Sequence, residues 1–184
     1  MREAIGMIEL TSVGIGYQVQ DAMLKAADVD LVLARTICSG KYINLVTGSV
    51  AAVQASLTAG LDAAPDGVID QMIIPNVHES VFPALGQSVQ LPAGGPKALG
   101  IVETYSAAST LEAADAAAKA AAVTLFRIHL AMALGGKGFM LMTGTVADCR
   151  SGVDVAAEVV RAKGLLVSAV VIPGPSKELY QEYI

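Results

Sequence analysis

The first half of the chain is written again in the second. Residues Ala4–Leu31 align with Ala98–Leu125 at a constant offset of 94, and 11 of the 28 paired positions hold the same residue. Those that matter below are Gly6/Gly100, Glu9/Glu103, Ser12/Ser106, Asp21/Asp115 and Lys25/Lys119. The register then slips by two, so that Gly40-Lys41 matches Gly136-Lys137 and Val46-Thr47-Gly48 matches Met142-Thr143-Gly144. A second slip of two aligns Ile74-Pro75 with Ile172-Pro173. The period is too long for a solenoid unit and suits a whole small domain. The expected organisation is a first domain over 1–81, a linker over 82–97 and a second domain over 98–184. Pro83, Pro92, Gly94, Gly95 and Pro96 punctuate that linker. Two fused copies present similar edges to their neighbours, which favours assembly.

Composition bounds the function. Hydrophobic residues make up 54% of the 184 and charged residues only 16%, against roughly 25% in ordinary soluble domains. Too little charge to cover an isolated surface implies that much of that surface meets other protein. A membrane span is not expected: the uncharged stretch Tyr42–Leu61 is broken by Asn44, Thr47, Gly48, Gln54, Thr58 and Gly60. No basic, apolar signal-like segment precedes Ala4, so a cytoplasmic location is expected. A net charge of −5 with scattered Lys and Arg argues against a nucleic-acid partner. Two cysteines without a CxxC or Cys/His pattern give neither a disulfide framework nor a zinc site. Metal chemistry would therefore draw ligands from more than one chain.

Ala4–Leu10 is a nearly unbroken apolar run and reads as a buried strand. Val19, Ala22, Met23 and Ala26 recur at helical spacing, as do Ala113, Ala116, Ala117 and Ala120. Ser109-Thr110-Leu111-Glu112 has the form of a capping box, predicting a helix start there. Leu31–Ile37 and Tyr42–Thr47 read as strands around a turn containing Ser39-Gly40. Val50, Val53 and Leu57 open a second helix, matched by Val146, Cys149 and Val153, and Met72–Ile74 forms a last strand stopped by Pro75. Each copy thus reads β-α-β-β-α-β, the split, ferredoxin-like arrangement of an α+β domain.

Three repeated motifs resemble those of the bacterial microcompartment shell family. They are Gly-x-(Ile/Val)-Glu at Gly6–Glu9 and Gly100–Glu103, Asp-Ala-x-x-Lys-Ala at Asp21–Ala26 and Asp115–Ala120, and a small-residue turn before a strand ending in glycine at Ser39–Gly48 and Gly135–Gly144. The resemblance covers nearly the whole chain. It implies two tandem BMC domains, a homotrimer that imitates a hexamer, and tiles packed edge to edge with other shell proteins around enclosed enzymes. Lys25 and Lys119 match a lysine that lies at the tile edge in this family. The edge segment that follows the last strand has its counterpart in Pro75-Asn76, whereas the second copy reads Pro173-Gly174-Pro175. Tandem members similar to this chain through Thr36–Lys41 carry a cysteine of the first repeat at the central pore. The resemblance there implies one [4Fe–4S] cluster per trimer, with Cys38 as its metal ligand and Ser39 and Gly40 as nearby cofactor-binding residues. An encapsulated redox enzyme is the further partner implied.

The residues themselves leave two readings of Cys38 open: a small buried hydrophobe, or a ligand held in a turn. Its counterpart is Leu134, so a trimer carries three such thiols rather than six, and three of the four ligands that an iron–sulfur cube takes. Cys149 aligns with Val53 at a helical core position and is expected to be packing alone. Ser39 and Gly40 suit either a tight turn or backbone N–H donation toward the axis. The extra residues around Ala131–Ala133 predict that the two turns differ in reach. Lys41 and Lys137 either line the pore mouth or sit as solvated strand-edge lysines. His78 and His129 lack partners at metal-ligand spacing and read as structural, and Glu9 and Glu103 as hydrogen-bonded structural carboxylates. No nucleophile–base or phosphate-binding motif is present, so no catalytic residue is assigned and no enzyme is expected. Two rivals remain: a metal-free pore tile conducting small metabolites, and a soluble trimer that binds a regulatory ligand between subunits.

Overall fold

Ala4–Leu10 forms strand β1, and all seven of its residues are buried, as an apolar run with no polar alternation requires. The computed structural model describes residues 3–91 and 97–181. After β1 come helix α1 (Val13–Ala26), strands β2 (Asp30–Ile37) and β3 (Lys41–Gly48), helix α2 (Val50–Ala63) and strand β4 (Val68–Pro75). A short helix α3 (Val81–Leu85) precedes the second copy: β5 (Ala98–Thr104), α4 (Ala107–Ala120), β6 (Thr124–His129), β7 (Gly138–Gly144), α5 (Val146–Ala162), β8 (Leu166–Pro173) and the terminal helix α6 (Lys177–Gln181). The two sheets have the orders β2-β3-β1-β4 and β6-β7-β5-β8. Every pairing is antiparallel. Both copies are therefore the split β-α-β domain expected from the sequence.

Chain contacts define two units, Met1–Val77 with Ala131–Gly136, and His78–Leu130 with Lys137–Ile184. Six of the eight residues between β6 and β7, Ala131–Gly136, thus pack with the first unit. Of the segment read as a linker, residues 92–96 (Pro92, Gly94, Gly95 and Pro96 among them) lie outside the described residues. The part before them is packed: Ala84 is buried within α3, and Val89 and Leu91 lie against Leu99, Phe126 and Leu141.

Why each helix sits where it does follows from two repeated details. The first is the cap. Ser12 accepts from the N–H of Ile15, Ser49 from Ala52, Ser106 from Ser109 and Thr145 from Asp148, so all four long helices begin on a Ser/Thr cap. The capping box expected at Ser109 is displaced by one turn, because Ser106, the twin of Ser12, already satisfies the Ser109 N–H. The second is the glycine of β1 and β5. A β-carbon at Gly6 would stand 2.7 Å from Val53 Cγ1 and 2.9 Å from Leu57 Cδ1, both on α2. One at Gly100 would stand 2.7 Å from Met142 Cγ and 3.0 Å from Val153 Cγ2. The missing side chain lets the second helix of each copy lie directly on the central strand.

Strand β4 starts four residues earlier than its apolar tip suggested, since pairing with β1 runs from Ala4↔Pro75 to Leu10↔Val68. Ile69 and Asp70 are not a uniformly apolar face, so periodicity alone marked only the buried end. The register shifts at Glu9/Leu10 and again at Glu103/Thr104, and at Leu31/Leu33 and Leu125/Arg127. Bulges at equivalent places in both sheets are part of the domain's design rather than local accidents. Thr47 Oγ1 donates to Ala4 O at 2.8 Å and Thr143 Oγ1 to Ala98 O at 2.9 Å, closing the same strand end twice.

Glu9, fully buried, accepts from Lys41 Nζ at 3.0 Å; the twin pair is Glu103 and Lys137, at 2.5 Å. The Glu9 side chain is 0% exposed and that of Lys41 25%, whereas Glu103 and Lys137 are 25% and 36% exposed. Neither lysine is a free strand-edge cation. Each ties the start of the third strand of its copy to the end of the first.

Two outcomes follow for equilibrium unfolding monitored by circular dichroism. Gly6→Ala lowers stability by about 1–3 kcal/mol through overpacking. Gly14→Ala, on an exposed helix position with no atom near the new methyl, raises it by about 0.5–1 kcal/mol; equal effects would refute the close-approach account. Lys41→Met takes one partner from a buried carboxylate and costs up to about 3 kcal/mol, while Lys137→Met, in a more solvated pair, costs about 1 kcal/mol or less.

Candidate functional site

The β2–β3 hairpin closes through three residues, Cys38, Ser39 and Gly40, between the paired ends Ile37 and Lys41. Ser39 has φ 65° and Gly40 φ 72°. Two successive left-handed residues turn the chain tightly, and glycine adopts that conformation without penalty. Ile37 is buried at the end of β2, Cys38 is half-buried, and Ser39 and Gly40 are exposed. The turn thus holds the thiol at the rim of the sheet rather than in the core, so the small-hydrophobe reading does not describe it.

The corresponding connection in the second copy is longer, running from Leu130 to Lys137. It folds as a series of left-handed residues: Ala131 (φ 53°), Ala133 (59°), Gly135 (64°) and Gly136 (90°). Alternation between right- and left-handed backbone turns successive N–H groups toward one side, forming a concave nest for anionic atoms. The Cys38 N–H donates to Ala131 O at 3.0 Å, which pins the turn to the loop. Hydrogen bonding from Gly136 above all, then from Leu134, holds the thiol below its usual range despite the opposing effect of partial burial. Lys41 also belongs to this corner, since its ammonium would lie 3.7 Å from a β-carbon placed on Gly136.

Cys149 is the contrast. It is fully buried on α5, its Sγ lies 3.8 Å from Ala98 O as a weak donor, and burial pushes its thiol up. It is the packing residue that alignment with Val53 implied. His78 and His129 are likewise structural. His78 donates its backbone N–H to Asp115 at 2.8 Å and its ring meets Ser80 Oγ at 2.8 Å. His129 stacks on Phe139 with centroids 5.0 Å apart.

The structure sets Cys38, Ser39 and Gly40 in one turn, with Ser39 and Gly40 shaping the backbone. The loop residues facing the sulfur, Ala133–Gly136, were legible only as a longer turn containing two glycines. Their side chains carry no chemistry, and backbone N–H donors leave no mark in a sequence. Lys25, 74% exposed, pairs with Asp21 at 2.6 Å; Lys119, 42% exposed, pairs with Asp115 at 2.6 Å. Asp115 is held further by the His78 N–H, so the second pair is the more rigid.

A soft metal group fits this corner in kind. A half-buried thiol held below its usual pKa range is what iron–sulfur ligation uses. One chain does not supply the number: among the described residues no three His, Cys, Asp or Glu side chains converge. Nor is any helix among them long and apolar enough to cross a membrane.

Comparison with known proteins accounts for the duplicated fold. The BMC domain model matches residues 4–77 and again 98–175. Over 184 residues the chain is 42% identical to the bacterial microcompartment shell protein PduT of Citrobacter freundii, covering 100% of this chain and 99% of that protein. It is 41% identical over 87 residues to the carboxysome shell protein CsoS1 of Prochlorococcus marinus, covering 45% of this chain and 84% of the relative. The crystal structure of a microcompartment protein from Desulfitobacterium hafniense superposes with a TM-score of 0.90 at 46% identity, over 98% of this chain and 99% of that one. With both copies matched and the full length shared, the chain belongs to the BMC-domain family of bacterial microcompartment shell proteins, carrying the domain twice.

Proposed function

We propose that this chain is a structural tile of a microcompartment shell, assembled as a homotrimer of pseudo-sixfold form. Cys38 of each protomer would ligate a single [4Fe–4S] cluster at the threefold pore. The observation that carries the reading is the Cys38 turn: a rim-placed, half-buried thiol, present in one copy of the repeat only and held below its usual pKa range by neighbouring backbone N–H groups. One such thiol per chain gives three in a trimer, the number that leaves one iron of a cube for another ligand. The names of relatives that match across one or both repeats support the tile role, as each is a shell protein. They support a structural protein rather than an enzyme. Exposed Lys25 and Lys119, each steadied by an acidic partner one turn away, are suited to contacts with neighbouring tiles.

When bound, the cluster supplies one-electron chemistry, which fits electron transfer across the shell to an enclosed redox enzyme, or delivery of clusters to it. The chain's own part is to present the sulfur, hold the hairpin through the Lys41–Glu9 pair, and direct amides at the ligand atom. None of these tasks needs a general base.

Anaerobically purified trimer is expected to be brown, with about four irons and four sulfides per three chains. Cys38→Ser loses both and Cys149→Ala keeps both, while all three proteins form sheets visible by electron microscopy. A trimer that stays colourless after reconstitution with iron and sulfide removes the redox role and leaves a metal-free pore tile. A protein that remains discrete at every concentration removes the tile role itself.

A further inference from the structure

One helix face is closed in the second copy and open in the first. Pro75 and Pro173 take the same place opposite Ala4 and Ala98, so the chain leaving β4 and the chain leaving β8 are equivalents. His78 then stands where Ser176 does, and Val81-Phe82 where Leu179-Tyr180 do. The chain leaving β4 belongs to the second unit and lies on it. There the His78 N–H donates to Asp115 Oδ1 at 2.8 Å, α3 packs against α4 and β6, and Val81 and Ala84 are buried. The face of α4 that carries this contact is closed: Leu111 is fully buried and the Asp115 side chain is 9% exposed. The twin face of α1 is open. Tyr17, in the place of Leu111, is 61% exposed, Leu24, in the place of Ala118, is 39% exposed, and the Asp21 side chain is 63% exposed. The chain leaving β8 is open as well, with Leu179 of α6 38% exposed.

We propose that residues 176–181 of one protomer lie on α1 of a second copy of this chain, with the Ser176 N–H donating to Asp21 and Leu179 on the open apolar face of Tyr17 and Leu24. The inference rests on the homotrimer of the reading above and adds which two surfaces join. The occupant is a second copy because the same fold already shows the equivalent segment in the equivalent place, held by the twin aspartate. After β4 the helix that receives the segment comes next in the same chain. After β8 no further copy of the domain follows in this sequence, so the helix comes from another protomer. A contact between two different surfaces is heterologous, and its repetition closes a ring rather than pairing two copies about a twofold axis. The repeated aspartate thereby has one task in both copies. Asp115 binds the chain leaving β4, and Asp21 binds the chain leaving β8 of a neighbour. Tyr17, Leu24 and Leu179, apolar groups left in water by the single protomer, are covered by the same contact.

Cysteines at the two partners report the contact. A carboxylate that accepts from a backbone N–H brings its two residues near the separation a disulfide bridges, about 4.4–6.8 Å between Cα atoms. In a metal-free Cys38→Ser, Cys149→Ala background, the pair Asp21→Cys with Ser176→Cys is oxidised and run on a denaturing gel. Asp115→Cys with His78→Cys is the control and should join within single chains. The test pair should give species of two and three chains, at least tenfold more abundant than in either single-cysteine variant. A test pair that joins no chains, or joins only within one chain, while the control pair forms, overturns the proposal. Leu179→Asp gives a second measurement without new thiols. Dilution should dissociate its trimer at a concentration at least tenfold above that of wild type, and equal concentrations overturn the proposal. A wild-type chain that light scattering shows not to be a trimer defeats the homotrimer reading instead. The linking result still decides the contact in that case: joined chains support it and unjoined chains overturn it.

Discussion

The close approach of a helix to a side-chain-free point on the central strand underlies everything else in each copy. With Gly6 under Val53 and Leu57, α2 covers β1 so completely that the strand has no solvated residue. A strand buried along its entire length tolerates a charge only where that charge has a partner. Glu9 is such a charge, and one of its partners is the first residue of β3. The ion pair fixes where β3 begins, and so where the hairpin must reverse. Cys38 stands at that reversal, three residues from Lys41. A glycine in the core and a thiol at the rim are therefore linked through one buried carboxylate.

Duplication preserved this chain of constraints and varied what hangs from it. Gly100, Glu103 and Lys137 repeat the glycine, the carboxylate and the lysine, but the second hairpin is not bound to reverse at the same place. Its Glu103 is partly solvated and is also held by Ser168, so the pair constrains the strand start less tightly. The connection is correspondingly free to lengthen. Function was added in the loops, where backbone conformation costs least to alter, while the sheets kept their bulges in matching positions.

What could be read in the sequence divides along the same line. Elements fixed by side-chain pattern were legible: the buried first strand, the helix faces carrying Val19 and Met23, and the core role of Cys149 opposite Val53. The cap at Ser106 was misplaced by one turn because two serines compete for the same helix start, and only the repeat with Ser12 distinguishes them. Strand β4 was under-read where its exposed half alternates. The amides around Cys38 were not legible at all, since a nest is made of φ angles and is spelled with alanine and glycine, residues that also spell an ordinary turn.

That last point bears on why the thiol belongs to one repeat. A cysteine in both hairpins would give a pseudo-hexamer six such thiols, and a cysteine in one gives it three. With Leu134 in place of a second cysteine, the same position carries no second thiol, and its backbone N–H is instead among the groups that lower the Cys38 pKa. Thiol and backbone donor thus come from equivalent positions of two copies of one fold. Such a difference is available to a tandem chain and closed to a tile of identical single domains, in which every hairpin has the same sequence. Fusion of the repeats is then the step that lets one turn carry a thiol while its counterpart carries none.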